Sequence, residues 1–74
     1  MTMADFNILE REHDAAIAKA TSAATAIAEL VAAGKQPEQA DIDRYVEARL
    51  GVESTSRDLD YCLKLELSEI MAEV

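Results

Sequence analysis

The sequence predicts an all-α fold, an antiparallel two-helix hairpin that dimerises into a four-helix bundle. Three observations carry that expectation. Only two glycines and one proline occur in 74 residues, and Gly34 and Pro37 sit together near the middle of the chain. On either side of them apolar side chains recur at alternating steps of three and four, the period of a helix that buries one stripe. Ten of the nineteen residues from Ala15 to Ala33 are alanine, the strongest helix former.

The first helix is expected over about residues 3–33. Thr2-Met3-Ala4-Asp5 fits a capping box, in which a hydroxyl and a carboxylate each take an orphan amide, with Asp5 itself as the alternative cap. The stripe of this helix reads Phe6, Leu9, His13, Ala16, Ala20, Ala23, Ile27 and Leu30. Its alanines let a neighbouring helix approach closely but contribute little apolar area each. Residues 34–36 form the turn, because glycine accepts the positive φ that ends a helix. Pro37 then opens the second helix, where its missing N–H costs nothing.

The second helix is expected over about residues 37–73, with Glu38, Asp41 and Asp43 placing negative charge at the positive end of its dipole. Its stripe reads Ile42, Tyr45, Arg49, Val52, Ser56, Leu59, Leu63 and Ile70, widened by Leu67 and Val74. Gly51 is the weak point, and Thr55-Ser56-Arg57-Asp58 would cap a third helix if the chain broke there. The apolar register passes through Gly51 without slipping, so one continuous helix, bent at most near Gly51, is expected. Leu63-Lys64-Leu65-Glu66-Leu67 alternates like a strand, but it is short and has no second strand to pair with.

These helices make one domain, each about 45–55 Å long. Such a hairpin is thin, and Tyr61, Cys62, Leu65 and Ala72 leave apolar surface on a second face. A second copy covers it economically, with Met3, Phe6, Ile8, Leu9, Leu67, Ile70 and Met71 at the open ends. The residues expected to carry core and dimer contacts are Phe6, Leu9, Ile27, Leu30, Leu59, Leu63, Leu67 and Ile70.

Fifteen acidic residues against seven basic ones leave a net charge of −8. That charge repels phosphate backbones and anionic membranes, so neither direct nucleic-acid binding nor membrane binding is expected, and a basic partner surface is. A nucleic-acid mimic also follows from the acidity, but the acids lack a double row at phosphate-like spacing. The single cysteine, Cys62, excludes an intramolecular disulfide and suits a reducing compartment. With no apolar run approaching a membrane span and no signal-peptide pattern, a cytoplasmic location is expected.

Glu10-Arg11-Glu12-His13 holds a Glu-x-x-His pair, the spacing used in di-iron bundles, which Glu66 or Glu69 of the second helix would have to complete. In so acidic a chain such a pair arises easily, and no metal is expected. His13 instead reads as a hydrogen-bonded stripe residue, with Asp58 or Asp60 as its partner. Cys62 and His13 fall at comparable levels of an antiparallel hairpin, yet a nucleophile also needs a cleft and oxyanion donors. No phosphate loop or dinucleotide fingerprint occurs, so no cofactor and no enzymatic activity are expected. Tyr45 and Arg49 combine contact area with directed hydrogen bonding, as interface anchors do. Together with the acids Asp41 and Glu38 they form the expected partner-binding set.

The Phe6–Leu30 stripe, the Gly34–Pro37 turn and the Ile42–Ile70 stripe cover nearly the whole chain. In that architecture the chain resembles small phage-encoded helical-hairpin proteins that modulate host machinery, the quorum-sensing anti-activators of Mu-like phages among them. Those hairpins dimerise and block a LuxR-type transcriptional activator. The resemblance implies a cytoplasmic inhibitor that binds a host protein such as a transcriptional regulator. It transfers no residue roles. A structural coiled-coil scaffold is the alternative that the same stripes allow.

Overall fold

A computed structural model describes residues 3–73, in which α1 runs Met3–Ala32 and α2 runs Gln39–Glu73. The two helices pack against each other along their length, giving a rod of 60 × 16 × 16 Å. Thr2, the expected cap of α1, lies outside the described residues, as does Val74. Asp5 stands inside the first turn of α1 rather than at its cap.

The turn is built from two capping devices. At the end of α1 the amide of Lys35 donates to the Leu30 carbonyl at 2.9 Å and that of Gly34 to Val31 at 3.0 Å. Gly34 has φ +75°. This is a Schellman motif, which satisfies the last carbonyls of a helix through one left-handed residue. At the start of α2 the Glu38 carbonyl accepts from Ile42 at 3.3 Å, while the Asp41 carboxylate accepts from the Glu38 amide at 3.0 Å. Glu38 is therefore the cap, and α2 begins two residues later than expected. Pro37 sits outside the helix because the Asp41 carboxylate anchors the amide that follows it.

The two glycines divide sharply. A Cβ added at either would meet nothing within 4 Å, but only Gly34 has positive φ. Gly34→Ala is expected to cost about 1 kcal/mol through left-handed strain. Gly51→Ala is expected to gain about 0.5–1 kcal/mol, because α2 runs through Gly51 as continuous helix. Urea unfolding of the two variants would show the opposite signs; equal effects would contradict this account.

Every residue of the α1 stripe, from Phe6 to Leu30, is buried or half-buried, and among the described side chains the rest of α1 is exposed. The α2 stripe differs from expectation. Tyr45, Val52 and Leu59 do face α1, but the positions between them are Ala48, Thr55 and Cys62, not Arg49, Ser56 and Leu63. The buried core is Ala20, Ala23, Ala48 and Cys62. Leu63, Leu67 and Ile70, expected among the core and dimer contacts, lie outside this seam at 45–57% exposure, and Ile42 is exposed as well. Small side chains, Ala20 and Ala23 on α1 and Ala48 on α2, let the backbones approach at the middle of the rod, with Tyr45, Val52 and Leu59 half-buried along the same seam.

One further expectation needs correction. Within Ala4–Ala32 the chain has a helix long and apolar enough, by length and composition, to cross a membrane. Alanine and the branched residues Ile17, Ile27, Leu30 and Val31 supply that apolarity together. The stripe of this helix packs against α2, and 11% of the apolar window is buried.

Candidate interaction surface

The rod buries little for its mass. A compact protein of this size exposes about 4,500 Å², whereas this chain exposes 5703 Å². Its radius of gyration is 17.2 Å, against about 11 Å for a compact chain of the same length. Much of the added surface is apolar: Ile17, Val31, Ile42, Val46, Leu67 and Ile70 are each 42–59% exposed.

These residues are not scattered. The antiparallel seam leaves a groove on each side of the rod, and the two grooves differ in chemistry. One, of about 180 Å³, is lined by Ile17, Ala20, Thr21 and Ala24 of α1 with Tyr45, Arg49 and Val52 of α2. The other, of about 300 Å³, includes Glu12 and Lys19 of α1 and Glu47, Gly51 and Thr55 of α2. Ile42, Leu63 and Ile70 are spaced from Arg49 by multiples of seven residues and therefore continue the first, apolar side. Val46 and Leu67 flank them.

Of the expected partner-binding set, Tyr45 and Arg49 come together on the apolar groove, Tyr45 half-buried and Arg49 exposed. Asp41 and Glu38 do not join them. They form the helix cap, where Asp41 also lies 3.8 Å from Arg44. Asp43 accepts a hydrogen bond from Gln39 at 2.9 Å. Sequence reasoning passed over Ile17, Val31, Val46 and Leu50 as surface. The signal was present, because Ile42, Val46 and Leu50 recur every four residues and Ile17 and Val31 lie off the α1 stripe.

His13 lies within hydrogen-bonding distance of Thr55, at 2.8 Å, not of Asp58 or Asp60. The Thr55 hydroxyl also lies 2.9 Å from the Gly51 carbonyl and 3.1 Å from that of Val52, the acceptors within its own helix. This pair sets the level of the two helices: residues whose numbers add to about 68 face each other across the seam. Cys62 therefore stands about 10 Å beyond the His13 level along the axis, and Glu66 about 16 Å. Neither the cysteine–histidine pairing nor the completed Glu-x-x-His set is assembled within one hairpin. Among the described residues no group of three His, Cys, Asp or Glu side chains could hold a metal ion.

Fold and surface together define an acidic helical hairpin with apolar side chains concentrated along one flank, Ile8, Leu50 and Tyr61 being exposed on other sides. No family model, curated protein or solved structure matches the chain.

Proposed function

We propose that the chain is a non-enzymatic protein–protein interaction module that works as a homodimer in the cytoplasm and inhibits a host protein by occupying its surface. The observation that carries the reading is the apolar flank from Ile17 and Val31 to Ile42, Val46, Leu67 and Ile70, with branched aliphatic side chains left 42–59% exposed on a rod that has little core of its own. Contiguous apolar surface of this kind marks an interaction site. A transcriptional activator of the LuxR type is the target class that the hairpin architecture favours, and the charge of −8 favours a basic surface on it.

Sedimentation equilibrium tests the dimer: a mass of twice the chain is expected, and a monomer at all concentrations overturns it. A tagged pull-down from host lysate at low and high salt tests the partner. Retention of one transcriptional regulator near stoichiometry, with loss of its activity, is the expected result. Recovery of the bait alone, in higher oligomers, would instead make the chain a structural coiled-coil component. Competition by nucleic acid and loss at high salt would make it an acidic mimic.

A further inference from the structure

We infer that two copies associate with their α2 helices antiparallel, in the one register that lays Ile42 against Leu67 of the partner subunit and Arg49 against the partner's Asp60. The inference rests on the self-association proposed above and adds its direction and register.

Away from the seam with α1, α2 carries a second stripe that starts at Ile42 and ends at Ile70, one residue every four and then three positions. Its ends are apolar, with Ile42 and Val46 at one and Leu63, Leu67 and Ile70 at the other. Its middle is polar and alternates in sign: Arg49, Glu53, Ser56, Asp60. All of these are exposed except Ser56, which is half-buried. A 3–4 stripe is the pattern that packs against another helix.

Antiparallel packing of two identical stripes pairs residues whose numbers have a constant sum, and one sum matches the four layers between Ile42 and Leu67, leaving Ile70 at the end beside Gln39 of the partner subunit. At 109, Ile42 meets Leu67, Val46 meets Leu63, Arg49 meets Asp60 and Glu53 meets Ser56, each pair occurring twice by symmetry. Glu53 also comes within reach of the partner's Arg57. Sliding by seven residues one way puts Arg49 against the partner's Leu67 and Glu53 against its Leu63. Sliding the other way puts Ile42 against the partner's Asp60. Parallel packing pairs each residue with itself, so that Arg49, Glu53 and Asp60 each meet a like charge, which disfavours it.

The layers from Ile42 to Leu67 span about 37 Å of helix. The surplus of exposed surface, about 1,200 Å² per copy relative to a compact chain, exceeds the roughly 800 Å² that a standard interface takes from each partner. A second copy therefore fits the stripe in length, area, charge order and apolar order.

Charge reversal tests the register by sedimentation. Arg49→Asp alone and Asp60→Arg alone are each expected to weaken self-association on the order of tenfold or more, since each puts like charges together at two symmetric sites. Carrying both changes in one chain restores the pairs and is expected to return association to near wild type. Singles that associate as tightly as wild type, or a double variant that is no better than the singles, overturn the register while leaving the dimer standing. A monomeric wild-type chain overturns the dimer itself. Cysteine cross-linking is the independent measurement: Ile42→Cys with Leu67→Cys is expected to give a disulfide-linked dimer on diamide oxidation, and Ile42→Cys alone is not. Cross-linking by the single variant would mean parallel helices.

Discussion

Leucine in place of Ala48 is expected to unfold much of the hairpin at temperatures where the wild type is helical. Ala48 is 5% exposed, and the other buried seam residues are Ala20, Ala23 and Cys62, all small. Three added carbon atoms at this nearly closed position must push the helices apart or bend into the groove that Ala48 also borders. Overpacking of this kind costs about 1–3 kcal/mol in an ordinary core. Here the loss falls on a chain of 74 residues, a size at which total stability is marginal. The control is Ala28→Leu, on the exposed side of α1, expected to stay within about 0.5 kcal/mol of wild type. Thermal melts followed by circular dichroism separate the two. An Ala48→Leu variant that melts with the wild type would mean that the seam is not closely packed.

The second large effect is on assembly. Leu67→Lys is expected to weaken self-association by about 30-fold or more, equivalent to about 2–4 kcal/mol. Leu67 is 57% exposed in the hairpin, so a lysine there leaves the fold of one copy intact. In a two-fold symmetric pair the change occurs twice, and each copy exchanges a buried apolar contact for a charged group that must stay hydrated. Tyr61→Lys is the informative comparison. Tyr61 is more exposed than Leu67, at 64%, but lies on another side of α2, so its replacement is expected to leave association unchanged. Equal losses would mean that general hydrophobicity, not this stripe, drives assembly.

The cysteine illustrates how level along the rod decides chemistry. Read from the sequence, Cys62 and His13 stand at comparable heights on neighbouring helices. The His13–Thr55 hydrogen bond moves the level by two helical turns and leaves Cys62 fully enclosed in the seam. A shift of that size is invisible in the periodicity of either helix, since a heptad stripe looks the same after sliding by seven residues.

What the sequence determined by itself was local. Two helices follow from helix-forming residues unbroken by proline, the turn from Gly34 and the acids after Pro37, and the buried face of α1 from a stripe with no apolar rival of comparable length. α2 holds two overlapping stripes that share Tyr45, Val52 and Leu59, one completed by Ala48, Thr55 and Cys62 and the other by Arg49, Ser56 and Leu63. The second gains its apolar look from its ends, Ile42, Leu63 and Ile70, while its middle holds Arg49 and Ser56; the fold uses the first for its seam. Only tertiary structure decided between them, because the two stripes lie side by side on α2 and share three residues, so the choice is a rotation of the helix about its axis that the periodicity of α2 alone does not fix. The rotation adopted encloses Ala48 and Cys62 beside Tyr45, Val52 and Leu59 and leaves Leu63, Leu67 and Ile70 outward.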